Sequence, residues 1–247
     1  MSRERQTPAW LSYERIAAAF ASEHYGGIAT AVHPNVRLIG QLSGKSRQID
    51  VLVEHRLERG SDSRIIVDAK NRSRRVDIKE VESFEGMMRD CSANRGVLIC
   101  ASGYTDGAFR RAQDAITLTV LAIEQVEEFG WVYEPCLGNC SGLKSGKRRG
   151  MVLWGEFLPI GRGLGWLVVQ TGKCDGCHAF HVWCWDCGTK FSVPDGQVHT
   201  CGCELDWASV PESPESGHTG KPESIWLMVR QSGSSGLPVP IDRRPIR

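Results

Sequence analysis

The sequence lacks the features of a membrane or secreted protein. It has no apolar run approaching the roughly 18 residues that a transmembrane helix needs. Its first residues, MSRERQTPAW, are polar and have no apolar core of the kind found in a signal peptide. We therefore expect a cytoplasmic protein that makes no membrane contact.

The chain also lacks an excess of charge of either sign. It carries 30 Lys and Arg against 29 Asp and Glu, a formal net charge of +1. This balance excludes binding to nucleic acid through bulk charge, so any such binding must come from local basic clusters. Several catalytic patterns are missing too. The segment GLKSGKRR lacks the spacing and the Ser or Thr of a P-loop, and neither metalloprotease histidines nor a serine nucleophile elbow are present.

Cysteine, in contrast, is abundant and unevenly placed. Of ten cysteines, eight form four close pairs between residues 136 and 203. Because a reducing compartment disfavours disulfides, these pairs point to metal binding. Their placement divides the chain into a front domain at 1–130, a cysteine-rich module at 131–207 and a Pro/Ser/Gly-rich stretch at 208–247. We expect the last of these to be a flexible tail.

The front domain is predicted to alternate helices and strands. Helical periodicity and cap residues predict helices, and short apolar runs between turn residues predict strands. The order is helix, three strands, helix, strand, helix and strand, which predicts an α/β domain with a mixed sheet flanked by helices. Helices are expected at 9–22, 76–91 and 105–115, and strands at 36–42, 48–55, 63–68, 96–102 and 117–123.

Two aspartates and a lysine fall on neighbouring predicted strands. Asp68 and Lys70 share a strand face, with Ala69 on the other, and Asp50 reaches the same corner if the two strands pair. Two carboxylates at a sheet edge suit Mg²⁺, and a lysine beside the metal can orient a water molecule. These groups would support metal-assisted phosphodiester hydrolysis. The alternative is a solvated ion pair at the end of a sheet.

The order of elements around these residues resembles the PD-(D/E)XK nucleases, and most closely their Mrr-like type IV restriction endonuclease branch. The resemblance covers roughly residues 10–125. Its matching segments are QIDVLV, IIVDAK, VESFEG, RGVLICASGYTDGAFRRA and ITLTVLAI. The departure is modest, because Asp68 stands where many Mrr-like sequences carry glutamine.

This resemblance implies a restriction-endonuclease-like fold acting on DNA. It implies that Asp50 and Asp68 hold Mg²⁺ or Mn²⁺ and that Lys70 positions the attacking water. Glu14 in the first helix fits the additional acidic residue that the family often has, although a surface glutamate is the alternative. The resemblance leaves open whether the protein acts as a homodimer or with a partner protein.

A basic cluster follows the strand that carries Lys70. Its members are candidates for phosphate contacts because they lie next to the carboxylates, and the alternative is a solvated loop. The candidates in this segment, KNRSRRVDIK, are Arg72, Arg74, Arg75 and Lys79.

The cysteine pairs predict one or two structural Zn²⁺ ions. The segment CWDCGTKFSVPDGQVHTCGC resembles a zinc ribbon, which would place one ion between Cys184, Cys187, Cys201 and Cys203. The six residues between Cys177 and Cys184 would span about 20 Å as a strand, too far for both flanking pairs to share an ion. A second ion would then use Cys136, Cys140, Cys174 and Cys177, with His178 and His181 as alternative ligands.

These observations together predict a Mg²⁺-dependent endodeoxyribonuclease with a small β-rich zinc-ribbon module that recognises or clamps the substrate. Restriction or another form of DNA processing is the expected role. The alternative is a non-catalytic adaptor that binds nucleic acid or protein through the zinc module, with an inactive nuclease-like scaffold. Exposed tryptophans among Trp154, Trp166, Trp183 and Trp185 would supply stacking contacts to bases or to a partner.

Overall fold

The chain consists of two compact units, Met1–Val132 and Tyr133–Arg247. The computed structural model describes residues 9–26, 30–55, 63–113, 116–119, 134–138, 140, 150–162, 165–212, 222 and 224–246. Within these ranges no helix combines the length and the apolar character needed to cross a membrane.

The N-terminal unit is a five-stranded mixed sheet with helices packed on it. The strands lie in the order β1-β2-β3-β4-β5, with β1 to β3 antiparallel and β3 to β5 parallel. The predicted α/β class and the mixed sheet are confirmed. The elements are α1 (Ala9–Tyr25), β1 (Thr30–Ile39), β2 (Ser46–His55), β3 (Ser63–Lys70), α2 (Ile78–Asp90), β4 (Arg95–Cys100), α3 (Asp106–Arg111) and β5 (Ile116–Thr119).

Strand β1 differs most from its predicted bounds, since it begins at Thr30 instead of residue 36 and ends at Ile39. The sequence of its first half, TAVHPN, contains a proline and an asparagine that are uncommon in regular strands, which explains the late predicted start. The predicted strand at 117–123 is described as far as Thr119, and residues 120–123 lie outside the described part of the chain.

The two faces of this sheet are covered by different helices. Helix α1 contacts β1, β2 and β3. Its buried residues, Tyr13 and Ala17 among them, do not belong to the core that α2 and α3 share with the sheet, so α1 lies on the opposite face. The core that α2 and α3 share with the sheet contains Ile49, Leu52, Ile66, Val81, Phe84, Met88, Leu98 and Ala108.

A glycine allows α2 to lie close to β4. A Cβ atom at Gly96 would sit 2.4 Å from Phe84 Cε1 and 2.5 Å from Met88 Sδ. We expect Gly96→Ala to destabilise the unit by about 1–3 kcal/mol, because the core is close-packed and must expand. Gly86 in the same helix is exposed and has open space around it. Gly86→Ala should therefore stabilise the unit by about 0.5–1 kcal/mol. Urea unfolding of both variants checks the opposite signs, and equal effects would contradict this packing.

The turn between β1 and β2 is fixed by Asp90, the last residue of α2. Its carboxylate accepts hydrogen bonds from the amides of Leu42 (3.1 Å) and Ser43 (2.9 Å) and from Arg47 Nε (2.6 Å). The hydrogen bonds from Ser43, followed by that from Arg47, hold the pKa of Asp90 well below its usual range. The hairpin that carries Asp50 is therefore tied to α2.

The C-terminal unit contains two antiparallel sheets. One has the order β10-β9-β8-β7-β6 and the other β11-β12-β13-β14. Side chains of both sheets share one core, which includes Phe180, Val182 and Trp207. The strands are β6 (Glu134–Pro135), β7 (Met151–Arg162), β8 (Gly165–Cys174), β9 (Phe180–Cys184), β10 (Lys190–Val193), β11 (Val198–Thr200), β12 (Leu205–Pro211), β13 (Ser224–Gln231) and β14 (Val239–Pro245).

The structure differs from the expectation of a flexible tail at 208–247. Residues of β12, β13 and β14 in this stretch form a sheet, and Ile225, Leu227 and Val229 alternate into the core. Strand β13 was not predicted because the residues on both sides of it are rich in Pro, Ser and Gly, and its alternating pattern is short. Residues 213–221 and 223 lie outside the described part.

Two ion pairs attach β14 to the rest of the unit, and the Lys173–Asp242 pair is buried while Asp195 in the other is 54% exposed. Lys173 Nζ lies 2.7 Å from Asp242 Oδ1, and both side chains are nearly inaccessible to water. The guanidinium of Arg244 makes two contacts of 2.5 and 2.6 Å with the Asp195 carboxylate. Since a buried charge without its partner is costly, β14 is an integral part of this unit.

Candidate catalytic and metal sites

Strands β2 and β3 separate at the point where the two aspartates stand. Their antiparallel register ends with the pair Val51 and Val67, whereas β3 continues beside β4 as far as Lys70. In the resulting gap, Asp50 Oδ2 accepts a hydrogen bond from the Ala69 amide at 2.8 Å. Strand amides lie close to the plane of their sheet, so the Asp50 carboxylate lies between the strands in place of a ladder bond.

Asp68 and Lys70 contact each other directly. Lys70 Nζ lies 2.8 Å from Asp68 Oδ1 and 2.6 Å from Asp68 Oδ2. The Asp68 side chain is 15% exposed and that of Lys70 is 34% exposed, so both remain accessible to solvent at this corner. The structure thus brings together the three residues that the strand pattern placed at one corner of the sheet.

The charges at this corner act strongly on Asp50. Burial, and next the neighbouring Asp68 carboxylate, raise the pKa of Asp50 from 3.8 to about 8, while the Ala69 amide opposes the shift. Glu14 of α1 also raises this pKa. The helix therefore places Glu14 close enough to Asp50 to act on its charge, which the sequence alone could not distinguish from a surface position.

These oxygen donors suit a hard divalent cation. Mg²⁺ and Mn²⁺ prefer carboxylate ligands, and a cation would offset both the burial of Asp50 and its repulsion by Asp68, which together keep the pKa of Asp50 high. Asp50 and Asp68 would hold the ion, and Glu14 supplies a further carboxylate. When bound, the ion would act as a Lewis acid toward a phosphate oxygen and lower the pKa of a bound water.

The basic cluster after β3 divides into two pairs. Arg72 and Arg74 both form ion pairs with Glu80, the latter at 3.0 Å. Glu80 also forms a capping box with Asp77 at the start of α2. The pattern D-x-x-E was visible in the sequence and shows why two of the arginines are held at the helix. Arg75 and Lys79 are exposed.

In the C-terminal unit, four cysteines converge at the predicted second zinc site. The sulfur atoms of Cys136, Cys140, Cys174 and Cys177 all lie within 4.8 Å of one another, and three of these residues are buried. Cys136 Sγ is 3.7 Å from Cys177 Sγ. A tetrahedral Zn²⁺ with bonds of about 2.3 Å separates its sulfur ligands by about 3.8 Å, so the donor set fits Zn²⁺.

The backbone around these sulfurs is shaped to hold thiolates. The amides of Gly150 and Gly176 point at Cys140 Sγ and Cys174 Sγ, at 3.4 and 3.3 Å. The Cys174 thiol donates to Cys177 and lowers the pKa of Cys177 to about 5. A Cβ atom at Gly150 would lie 2.3 Å from Cys174 Sγ, so only glycine leaves room for the sulfur there.

The two histidines that were alternative ligands are not among the converging donor groups, although His181 Nε2 lies 3.5 Å from Cys136 Sγ. His181 is fully buried, and its Nε2 accepts a hydrogen bond from the Leu137 amide at 3.2 Å. Its Nδ1 then donates to the Ala179 carbonyl oxygen at 3.0 Å. Burial lowers the pKa of His181 to about 4, in keeping with a neutral ring. His178 follows the Cys174/Cys177 turn with φ of 60°.

The other predicted zinc site is assembled from three of its four cysteines. The sulfurs of Cys184, Cys187 and Cys203 lie within 4.8 Å of one another, with 3.7 Å between Cys184 and Cys203. Cys201 is not among these close sulfurs, although it is buried in the same core as Cys184. This donor set also fits Zn²⁺, with three ligands in place.

The five-stranded sheet of this unit carries aromatic rings on the face turned away from the shared core. Trp183 and Trp185 are stacked with 4.0 Å between ring centroids, and Phe157 meets Trp185 edge-on at 5.2 Å. Lys190 Nζ lies 3.4 Å from the centroid of the Trp183 ring. Trp166 is 71% exposed. We call the rings of Phe157, Trp183 and Trp185 the aromatic face.

Comparison with known proteins finds a family match within the N-terminal unit. Residues 11–129 match the family model Mrr_cat, which describes restriction endonucleases. No curated protein matches the sequence. Among solved structures, the crystal structure of a protein of unknown function, AF1548, is 17% identical, covers 51% of this chain and 68% of its own, and has a TM-score of 0.38. The family match spans the segment from α1 to β5 that holds Glu14, Asp50, Asp68 and Lys70. Residues 11–129, 119 of the 247 residues, are therefore similar to the Mrr-type restriction endonucleases.

Proposed function

We propose that the protein is a Mg²⁺- or Mn²⁺-dependent endonuclease that hydrolyses DNA phosphodiester bonds in restriction or related DNA processing. The observation that supports this most is the corner between β2 and β3, where Lys70 contacts Asp68 and the Asp50 carboxylate fills the gap beside them. A solvated ion pair would not require Asp50 to lie half-buried beside another carboxylate.

Each residue of this corner would have a separate role in metal binding or catalysis. The Ala69 amide holds one oxygen of Asp50, which leaves the other oxygen for the cation. Asp68 lies between the cation position and Lys70, and the Lys70 ammonium would orient the attacking water and steady negative charge on the phosphate. Arg75 and Lys79 would contact backbone phosphates, since Arg72 and Arg74 are engaged by Glu80.

The C-terminal unit would recognise or clamp the substrate. Two Zn²⁺ ions would hold its turns in place as structural ions, because their ligands are protein thiolates with no catalytic base among them. The aromatic face supports a role in contacting unpaired bases, since base stacking on aromatic rings is tolerant of sequence. A partner protein or a second copy of the chain would be alternative occupants.

Removing a ring tests this surface. We expect Trp185→Ala to weaken binding of a fluorescent single-stranded oligonucleotide by roughly tenfold, since stacking contributes about 1–3 kcal/mol per base. Fluorescence anisotropy titration measures the effect. Trp10, 55% exposed in the N-terminal unit, provides the control, and Trp10→Ala should bind normally. Equal affinities for all three proteins would remove the aromatic face from DNA binding.

Incubation with supercoiled plasmid tests the enzyme against the adaptor. The enzyme produces nicked or linear DNA with Mg²⁺ or Mn²⁺ and none after chelation of the divalent ion. DNA that is retained by the protein and remains intact with either ion would support the non-catalytic adaptor instead.

A further inference from the structure

The ladder between β1 and β2 is interrupted opposite Asp50. The register passes from the pair Pro34 and Val51 to the pair Val36 and Ile49 and does not include Asn35 and Asp50 as a pair of the ladder. Asn35 has φ of 48°, in the left-handed region that residues with a side chain seldom adopt. Pro34, directly before it, has no amide hydrogen to donate.

The interruption changes which face the following side chains occupy. Ile49 and Leu52, three residues apart, both pack in the core beneath α2 and α3. In a regular strand, residues three apart point to opposite faces, so β2 must depart from alternation between them. Asp50 lies in the irregular stretch of β2 between Ile49 and Leu52. This irregularity turns the Asp50 carboxylate toward the edge that faces β3, where it accepts the hydrogen bond from the Ala69 amide.

We propose that Asn35 is a positioning residue for Asp50: its left-handed backbone holds the irregularity that aims the carboxylate into the gap between β2 and β3. Irregularities of this kind re-aim side chains beside active sites. Asparagine is one of the few residues that accept this conformation, and its Oδ1 receives a hydrogen bond from Gln48 Nε2 at 3.3 Å, across the same pair of strands.

This role rests on the proposed metal-dependent nuclease, and it predicts an order among substitutions. Glycine adopts the left-handed region freely, alanine less so, and β-branched valine least. Asn35→Gly should keep Mn²⁺ affinity and plasmid cleavage within about twofold of the parent, because the backbone stays in place. Asn35→Val should lose roughly tenfold or more of both, because strand β1 straightens and Asp50 turns.

A control variant separates an effect on the orientation of Asp50 from an effect on the stability of the fold. Ser92 follows α2 with φ of 53° and is exposed, so Ser92→Val imposes the same backbone conflict elsewhere in the same unit. It should lower the melting temperature about as much as Asn35→Val does and leave Mn²⁺ binding unchanged. If Asn35→Val does not fold, Asn35→Ala should show an intermediate loss.

Mn²⁺ binding is measured by electron paramagnetic resonance of the free ion, and cleavage on supercoiled plasmid. The positioning role would be overturned if Asn35→Val kept the Mn²⁺ affinity and cleavage of the parent. If the valine variant does not fold, the same result in Asn35→Ala would overturn it. So would an equal loss in Asn35→Gly, which would assign the effect to the asparagine side chain. A parent protein that neither binds Mn²⁺ nor cuts would overturn the nuclease itself, and the two failures are therefore distinguishable.

Discussion

Asp68→Asn should reduce Mg²⁺-dependent plasmid cleavage on the order of a thousandfold, the loss expected when several kcal/mol of metal-dependent charge stabilisation disappears. Asparagine keeps the size of the side chain and can still accept a hydrogen bond from Lys70. It lacks the negative charge that would hold the cation next to Asp50. Initial rates of nicking, measured across Mg²⁺ concentrations, check the effect.

The same substitution should not weaken the fold. Asp68 raises the pKa of Asp50, so its neutralisation removes repulsion at a half-buried carboxyl and should leave the melting temperature unchanged or higher. Asp106→Asn, at an exposed residue in the first turn of α3, is the matched control and should cut DNA normally. Full activity of Asp68→Asn would contradict the assignment of the metal to this corner.

Removal of zinc should unfold the C-terminal unit. Ion binding contributes about 10–16 kcal/mol to the folding of small zinc domains, far more than the core of such a unit supplies unaided. A strong chelator should therefore abolish the fixed tryptophan environment around Trp183 and Trp185, seen in fluorescence, and restored zinc should recover it. The purified protein should release two Zn²⁺ ions per chain to a colorimetric indicator after thiol modification.

Single cysteine variants locate the ions. Cys174→Ser should lose one ion and Cys203→Ser the other, while Cys91→Ser, in the core of the N-terminal unit, should retain both. The zinc content of Cys201→Ser identifies the fourth ligand of the site formed by Cys184, Cys187 and Cys203. Loss of an ion would assign that position to Cys201 after rotation of its side chain. A protein that contains no zinc, or keeps its fold without it, would contradict the structural role.

The elements of the N-terminal unit were predictable because their signals are local. Buried strands such as β4 form apolar runs, and α2 shows helical spacing in Val81, Phe84 and Met88. Asp68 and Lys70 could be placed on one face because alternation in a strand fixes that relation. The sequence therefore supplied the candidate corner, although not the way Asp50 reaches it.

What the sequence did not reveal depends on contacts between distant residues. The turn of Asp50 toward β3 follows from the backbone of Asn35 on another strand, which no pattern within β2 encodes. The engagement of Arg72 and Arg74 by Glu80 was likewise invisible to a count of basic residues. Strand β14 pairs with β13, and its Asp242 contacts Lys173, 69 residues earlier, on a strand of the other sheet.

That last pair also sets the timing of folding during synthesis. The cysteine turns and Lys173 leave the ribosome well before Asp242 does, so for that interval the Lys173 ammonium lacks the Asp242 carboxylate and the two sheets cannot close around this ion pair. Metal loading can precede closure, but the unit completes its interior only after its last strand has been made. A nascent chain stalled before residue 239 would expose that unfinished interior to chaperones and proteases.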